Sequence, residues 1–249
     1  MRPAPHPQSF PSTRLPQLTN LVKSLLPAVS QKRVSPSTTF VRDYPPNIDP
    51  PGVISPVLLA SSSRCAIVND AYPKASVHML VLPLDVRLQS LNDLTHSHVD
   101  LLLDMKRTAN EFIAHSRRDA TVSAQSALPS ASPPWTWPFA MGFHAIPSLP
   151  MLHMHVMTLD LHASPRVKKR AHYNSFATRY FVPVDTVIAD LRQNGFVTVN
   201  QDVEALHQLE KEAYRCLWCG STAFTQLPAL KVHIAGCKER RSSGVCPPS

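Results

Sequence analysis

Residues 152–158 alternate apolar side chains with two histidines, His153 and His155. If this stretch forms a β-strand, both imidazoles lie on one face of the strand. Imidazole titrates near neutral pH, and it is a nucleophile toward phosphorus when its proton is donated elsewhere. The pattern therefore indicates a pair in which one histidine attacks and the other gives electrostatic or acid support. The alternative is an incidental pair on the surface, and the surrounding sequence must decide between them.

Four residues of metal-ligand type occur near the end of the chain. Cys216-x2-Cys219 is followed by thirteen residues and then by His233-x3-Cys237. A CxxC turn and two ligands four residues apart on a helix complete a closed tetrahedral shell for zinc, and the spacing suits a metal better than a disulfide framework. A closed shell has no open position for chemistry. We therefore expect one structural Zn²⁺ per chain and no catalytic metal, with a chance spacing as the alternative.

The composition predicts a folded, basic protein. Of 249 residues, 43% are hydrophobic, which excludes disorder throughout, and 25 Lys and Arg against 17 Asp and Glu give a net charge of +8. This excess suits a polyanionic partner such as nucleic acid, although many basic proteins bind none. The N-terminal region lacks an apolar run of signal-peptide length, and no stretch reaches the roughly 18 apolar residues of a membrane span. We therefore expect a soluble, intracellular protein with no membrane partner.

Hydrophobic periodicity predicts the elements around the histidines. Apolar and β-branched runs predict strands, and apolar spacings of three and four residues predict helices. The predicted strands are 57–60, 65–68, 77–82, 139–146, 152–159 and 196–199. The predicted helices are one of about five turns that begins at Thr95, then 185–193 with Asp185 as N-cap and Gly195 at the C-terminus, and 202–214. The basic run at 166–176 is either a solvated loop or a nucleic-acid contact.

Three segments, taken together, resemble the aprataxin branch of the histidine-triad (HIT) proteins. Residues 70–83 (DAYPKASVHMLVLP) resemble the family's first nucleotide-binding strand and its lead-in turn. Residues 142–148 (GFHAIPS) followed by 152–158 resemble its active-site strand, and residues 168–176 resemble the basic segment that comes next. The C-terminal finger completes the same order of parts. The resemblance covers roughly residues 57–240.

The resemblance implies an α+β fold, with a HIT-like antiparallel sheet, packed helices and a small C-terminal zinc finger. The implied regions are a largely disordered segment at 1–56 with a short helix at 14–26, a HIT catalytic domain at 57–200 with a flexible insertion at 117–138, a linker helix and C2HC finger at 201–241, and a tail at 242–249. Since the HIT domain is expected to have a core of its own, damage to the finger should remain local.

The resemblance also implies roles for individual residues. His153 is the expected nucleophile, which takes the adenylyl group as a covalent histidine-AMP intermediate, and His155 and His144 are expected to contact the phosphates. The other expected nucleotide contacts are Asp70 at the ribose hydroxyls, His78 completing the pocket, Ser148 hydrogen-bonded near the nucleophile, and Lys74 facing the bound strand. The DNA backbone is expected to contact Lys168, Lys169, Arg170 and His172.

Two positions depart from the family pattern. Met151 stands where the family has the first histidine of its His-φ-His-φ-His triad, and Cys237 stands where vertebrate members have a histidine ligand. Zinc tolerates the second change. The first change leaves the expected nucleophile and its neighbour in place, so we expect it to affect the rate more than the type of reaction.

The implied activity is that of a hydrolase acting on a phosphoanhydride, namely a DNA 5′-adenylate hydrolase that removes AMP from abortive ligation intermediates in single-strand break repair. The expected partner is nicked or double-stranded DNA with an adenylated 5′ end, in the nucleus, with the cytoplasm as a second compartment. One alternative is a general HIT hydrolase of dinucleoside polyphosphates or nucleoside phosphoramidates. The other is a non-catalytic DNA-binding zinc-finger protein, whose pocket is inactive because of Met151.

Overall fold

The computed structural model describes residues 58–124, 134–198 and 202–237, together with Asn20 and the pair Thr39–Phe40. Apart from Asn20, which is helical, the helix expected at 14–26 lies outside the described residues, and so does the tail at 242–249. Within the described ranges, no helix combines the length and the apolar character that crossing a membrane requires.

An antiparallel sheet positions the histidines. Across the described residues it has seven strands, which are β1 (Thr39–Phe40), β2 (Leu58–Ser61), β3 (Cys65–Asn69), β4 (His78–Pro83), β5 (Phe139–His144), β6 (Met154–Thr158) and β7 (Phe181–Pro183). They lie in the order β1-β2-β3-β4-β6-β5-β7, and each is antiparallel to its neighbours. The five strands predicted between residues 57 and 159 are confirmed, with small shifts at their ends.

Strands β4 and β6 lie side by side within the sheet. Leu80 on β4 pairs with His155 on β6, and His78 pairs with Met157. Paired residues of antiparallel strands share a face, so His78 and His155 lie on the same face of the sheet. Every residue of both strands is buried. The two imidazoles are therefore shielded from bulk water.

Two helices cover the opposite face of the sheet. The helices of the described residues are α1 (Val99–Ala124), α2 (Arg170–Ala177), α3 (Val184–Asn194), α4 (Val203–Lys211) and α5 (Leu227–Gly236), with 3₁₀ turns at Leu91–Asp93, His96–His98 and Pro134–Thr136. Helices α1 and α3 pack against Met154 and Val156 of β6, in one core with Leu102 and Leu191. Gly195 ends α3 in the left-handed conformation, at φ 81°, as predicted.

Helix α1 is longer than the predicted five turns. Its 26 residues reach Ala124, and they include the first part of the segment that was expected to be a flexible insertion. Arg117 supports this extension, because its guanidinium donates hydrogen bonds to the carbonyls of Trp135 and Trp137 at 2.9 and 3.3 Å. These contacts join the helix to the chain that leads into β5.

Two local predictions around α3 are wrong. Pro183, and not Asp185, is the N-cap, because a fixed φ suits the residue that precedes a helix, and the Asp185 carboxylate instead accepts a hydrogen bond from a lysine of α1. Residues 196–198 form no strand. The N–H and hydroxyl of Thr198 both donate to the carboxylate of Asp190, which holds this segment against α3.

Helix α2 forms from the basic run and lies on the histidine face of the sheet. Its buried residues Tyr173 and Phe176 belong to one core with Met157 of β6 and with Leu230 and Ile234 of the finger helix α5. The sheet has the expected core of its own, with helices α1 and α3, but this second cluster joins it to the finger, so the structure does not support the expectation that damage to the finger remains local. The finger shares its core with the strand that positions the histidines.

We expect Gly142→Ala to destabilise the sheet, because β7 approaches β5 closely at this residue. A β-carbon there collides with the carbonyl oxygen of Val182 and lies 2.8 Å from ring atoms of Phe181. Overpacking of this kind lowers the free energy of unfolding by about 1–3 kcal/mol, which urea unfolding measures. Gly236→Ala is the matched control, since a β-carbon there meets no atom within 4 Å. An unchanged unfolding midpoint for Gly142→Ala would contradict the packing of β7 on β5.

Candidate active site and metal centre

Four histidines lie together on the sheet face that helix α2 covers. His155 is at their centre, and its ring centroid is 4.4 Å from that of His144, 5.0 Å from His153 and 5.2 Å from His78. Strand β4 begins at His78, β5 ends at His144, and β6 contains His155, with His153 directly before this strand. The structure therefore brings together the four histidines that the sequence predicted for one pocket.

His153 has the hydrogen bond that a histidine nucleophile needs. Its Nδ1 lies 2.7 Å from the carbonyl oxygen of Met151. A carbonyl only accepts, so Nδ1 has the proton and donates it. The lone pair of the neutral imidazole is then on Nε2, which is the atom available for attack. Only 4% of the residue is exposed, so burial also restricts its orientation.

Met151 supports His153 through its backbone. Its side chain is buried in an apolar cluster with Leu80, Leu82 and Leu84. A backbone carbonyl is present whatever the side chain, so the loss of the family's first histidine leaves the hydrogen bond to Nδ1 of His153 intact. Methionine at position 151 thus removes one imidazole from the site but leaves the tautomer of His153, the expected nucleophile, unchanged.

A chain of hydrogen bonds fixes the tautomers of two further histidines. The backbone N–H of Lys74 donates to Nδ1 of His78 at 2.9 Å. Neutral His78 therefore has its proton on Nε2, which lies 3.0 Å from Nδ1 of His155. His155 accepts there, and its own proton is on Nε2. These assignments follow from the donors and acceptors on each side.

The outer nitrogens of His155 and His144 lack hydrogen-bond partners among the described residues. Both Nε2 atoms are shielded from solvent. Burial lowers the pKa of His144 to about 3 and that of His155 well below its usual value, and the neighbouring imidazoles add to both shifts. The two rings are therefore neutral at pH 7. On His155 this outer nitrogen has the proton, and a buried N–H without a partner favours binding of an acceptor such as a phosphate oxygen.

The remaining residues predicted for the nucleotide lie at the edge of this pocket. Asp70 accepts from the N–H of Tyr72 at 2.7 Å through Oδ1, and its Oδ2 lies 3.6 Å from Nε2 of His78. Lys74 donates from Nζ to the carbonyl of Tyr72 at 2.9 Å, and burial lowers the pKa of its ammonium group. Ser148 is exposed and hydrogen-bonds to no other described residue, so the structure does not place it against the nucleophile.

Phe176 of α2 completes the pocket, and the sequence analysis assigned it no role. Its ring centroid lies 4.6 Å from that of His144, 5.3 Å from His155 and 5.5 Å from His78. The signal for this residue was its spacing from Tyr173 within the basic run, since i and i+3 share a helix face. Phe176 forms an apolar wall against three imidazoles.

The basic segment before and within α2 divides into exposed and internal residues. Lys168 and Lys169 are exposed beside the start of the helix. His172 is half-buried, and its Nδ1 lies 3.0 Å from the carbonyl oxygen of Arg166. Burial and the charge of Lys74 lower the pKa of His172. The two lysines are therefore the members of this segment best placed for contact with an external anion.

Arg170, which was predicted to contact DNA, makes contacts within the molecule. Its guanidinium donates to the carbonyls of Lys211 and Thr225 at 3.1 and 3.5 Å. The same group lies 4.7 Å from the ring centroid of Tyr214, a cation–π distance. The structure therefore assigns Arg170 to the contact between α2 and the finger.

The four predicted metal ligands converge at the finger. The Sγ atoms of Cys216, Cys219 and Cys237 and Nε2 of His233 all lie within 4.8 Å of one another, with Cys219 Sγ 3.2 Å from His233 Nε2. Tetrahedral zinc with bonds of about 2.0–2.3 Å requires ligands at such separations. Gly220 closes the CxxC turn at φ 69°, and its N–H donates to the Cys216 carbonyl. The residues fit a closed, structural zinc site.

A second set of ligand types, Asp70, His78 and His155, also has atoms within 4.8 Å of one another. A metal on Nε2 of neutral His78 would require the proton on Nδ1. That atom faces the Lys74 N–H at 2.9 Å, which is itself a donor. The hydrogen bonding therefore favours a proton on Nε2 of His78 over a metal ion at this atom.

Comparisons with known proteins give matches to both the part of the chain that contains the histidines and the finger. A family described as scavenger mRNA decapping enzyme C-terminal binding matches residues 52–172, and the C2HE / C2H2 / C2HC zinc-binding finger family matches residues 177–240. Aprataxin of Gallus gallus is 35% identical over 178 residues, which are 72% of this chain and 50% of that protein. The crystal structure of the aprataxin ortholog Hnt3 from Schizosaccharomyces pombe is 27% identical, with a TM-score of 0.44, and the match covers 74% of this chain and 85% of that chain.

The chain spans about half the length of the vertebrate relatives that it matches. A yeast relative is matched over more of its length. The aprataxin-like protein of Schizosaccharomyces pombe is 30% identical over 175 residues, which are 68% of this chain and 68% of that protein. With this match over most of both chains, the chain belongs to the aprataxin-like branch of the HIT family.

Proposed function

We propose that this chain hydrolyses 5′-adenylated DNA to AMP and DNA with a 5′-phosphate. The observation that supports this most directly is His153, whose Nδ1 donates to the carbonyl of Met151 so that Nε2 has the lone pair. Beside it lie two neutral imidazoles, His144 and His155, with outer nitrogens directed at no other described group. Membership of the aprataxin-like branch supports the same class of reaction.

The reaction proceeds in two displacements at the phosphorus of AMP. Nε2 of His153 attacks this phosphorus, the phosphoanhydride P–O bond breaks, and the 5′-phosphate of the DNA leaves with the electron pair. The adenylyl group is then covalently bound to Nε2. Water attacks the same phosphorus and loses a proton to the solvent, the P–N bond breaks with its electron pair on Nε2, and AMP is released together with neutral His153, whose proton is still on Nδ1. The buried N–H of His155 donates to a non-bridging oxygen, which stabilises the charge that develops there.

DNA contacts are proposed for the start of helix α2. Lys169 is the N-cap of this eight-residue helix, and Phe176, near its other end, contacts the histidines. At 1.5 Å per residue, the two ends of the helix are about 10 Å apart. Lys168 and Lys169 therefore lie where a strand that leaves the pocket can bring its next phosphates. Such contacts position DNA and give salt-dependent affinity without reading sequence.

Two alternatives use the same pocket differently. A general HIT hydrolase of small dinucleotides needs the histidines but not the exposed lysines. A non-catalytic DNA-binding protein needs a pocket that Met151 has inactivated, and the retained backbone hydrogen bond to His153 argues against this. Hydrolysis of adenylated DNA suits all of these features. The proposal also implies that the protein acts in the nucleus.

His153→Asn should lower kcat on a 5′-adenylated nicked duplex by at least about a hundredfold, because the side chain that forms the covalent bond is lost. Release of AMP measures the effect. His96→Asn, at an exposed histidine in a 3₁₀ turn, is the matched control and should behave as wild type. If His153→Asn retained more than about a tenth of the rate, the barrier would have risen by less than roughly 1.4 kcal/mol and the nucleophile would be another group.

Lys168→Ala together with Lys169→Ala should weaken DNA binding and flatten its salt dependence. Each lost phosphate contact should reduce the slope of log K against log[salt] by about 0.7–0.9. Lys106→Ala with Arg192→Ala removes the same charge from α1 and α3 on the other side of the sheet, and is the matched control. Fluorescence anisotropy over a salt series distinguishes the two. Equal slopes in both double variants would contradict a DNA contact at α2.

The neutral histidines predict a loss of stability in mild acid. Burial holds the pKa of His144 and His155 below the value of about 6.5 in the unfolded chain, so the unfolded state binds protons first as the pH falls. The free energy of unfolding is therefore unaffected by these two groups above about pH 6.5. Below that pH it decreases by on the order of 1 kcal/mol per pH unit for each group. Urea unfolding at pH 7.5, 6.5 and 5.5 should show a smaller pH dependence in His155→Gln. The same dependence in variant and wild type would contradict a neutral, buried His155.

A further inference from the structure

Two series of contacts connect the finger to the histidine pocket through other parts of the chain. We propose that the finger, closed around its metal, positions the catalytic histidines. This inference rests on the proposed hydrolase function. It makes helix α2 and the loop at Ser164 the connections between the two sites. Phe176 and the backbone of Lys74 are then positioning groups that act through the imidazoles.

The first connection is Asn174 of α2, which is buried with 1% exposed. Its side-chain nitrogen donates to the carbonyls of Leu209, Glu210 and Glu212 at 3.2, 3.2 and 2.9 Å. These carbonyls lie at the C-terminal end of α4, where the last backbone acceptors of a helix need partners from outside it or from a tightened last turn. One amide group therefore joins α2 to the chain that leads into the finger.

Neighbouring residues of α2 continue this contact up to the first zinc ligand. The hydroxyl of Tyr173 donates to the carbonyl of Arg215 at 2.8 Å, and Arg215 immediately precedes Cys216. Arg170 donates to the carbonyl of Thr225, beyond the CxxC turn. Helix α2 is therefore held by backbone on both sides of that turn. Its position depends on the folded finger.

The second connection begins on the finger helix α5. Lys231 donates from Nζ to the carbonyl of Ser164 at 2.8 Å, and the hydroxyl of Ser164 donates to the carbonyl of Pro73 at 2.8 Å. The next residue, Lys74, donates its N–H to Nδ1 of His78. This series of hydrogen bonds runs from the finger to the group that fixes the tautomer of His78.

Both connections end at the same imidazoles. Phe176 contacts His144 and His155, and the Lys74 N–H sets His78, which donates in turn to His155. Small displacements matter here, because a shift of about 1 Å in a reacting group can reduce the rate on the order of a hundredfold. A small metal module takes most of its folding energy from the ion. Loss of zinc should therefore disturb the pocket.

Asn174→Asp tests the first connection without touching the zinc ligands. The side chain keeps its shape but loses both N–H donors, and a carboxylate then faces three carbonyl oxygens. Asn194→Asp, at an exposed asparagine of α3, is the matched control. Lys231→Met tests the second connection from a half-buried position on α5, and Cys219→Ser removes a zinc ligand. Elemental analysis reports zinc in each variant.

The decisive readout is the set of imidazole ¹⁵N chemical shifts, which distinguish the Nδ1–H and Nε2–H tautomers of His78 and His155. We expect these shifts to change in Asn174→Asp and Lys231→Met with zinc retained, and in Cys219→Ser with zinc lost. On adenosine 5′-phosphoramidate, a substrate without DNA, kcat should fall about tenfold or more while KM changes little. Asn194→Asp should match wild type in every measurement.

Unchanged imidazole shifts in Asn174→Asp, Lys231→Met and zinc-free Cys219→Ser would overturn the inference, and the finger would then fold independently of the histidine pocket. The spectra need no substrate. If the wild-type protein hydrolysed no adenylate, the proposed function would be wrong. The spectra would still show whether the finger positions the histidines.

Discussion

The hydrogen bond from the backbone N–H of Lys74 to Nδ1 of His78 sets the protonation of the pocket. A backbone donor cannot become an acceptor, so neutral His78 must have its proton on Nε2. His78 donates this proton to Nδ1 of His155, which therefore has its own proton on Nε2. The result is a buried N–H on His155 with no other described partner. Together with the carbonyl of Met151, which fixes His153 in the opposite tautomer, the backbone divides the imidazoles into one nucleophile and its donors.

The imidazoles of this site can therefore act while they are uncharged. Burial depresses the pKa of His144 and His155, so both remain neutral at the pH where His153 needs its lone pair, and His155 serves as a neutral donor. It also explains the tolerance of Met151, since the hydrogen bond that orients the nucleophile comes from the main chain. The side chain at this position packs in an apolar cluster instead.

Local patterns predicted much of this arrangement. The alternation in residues 152–158 predicted the strand and the shared face of its histidines, because strand periodicity is a local property. The CxxC and HxxxC spacings predicted the ligand cluster for the same reason. The end of α1 depends on contacts with distant residues, and the Asp185 carboxylate binds a distant lysine of α1 and does not cap α3, so the sequence reasoning was wrong at both places.

The packing of the finger against the sheet could not be predicted from the sequence, because it also depends on contacts between distant residues. Asn174 and Arg170 meet carbonyls 35 to 55 residues away in the chain, and a basic run has the same composition whether it faces DNA or its own fold. Phe176 could be recognised as a helix-face residue but not as a wall of the pocket. Ser148 shows the reverse case, since its family role does not follow from its exposed position here.

The most direct test of this account is to trap the intermediate and locate it. Wild-type protein mixed with 5′-adenylated nicked DNA and quenched in cold denaturant within one turnover should yield a peptide that contains residues 152–158 with AMP attached. Tandem mass spectrometry should locate the AMP on His153, and the AMP-bearing peptide should disappear at later quench times as AMP is released. Turnover with AMP on no residue of the protein, or with AMP on His155 or another side chain, would contradict the central claim.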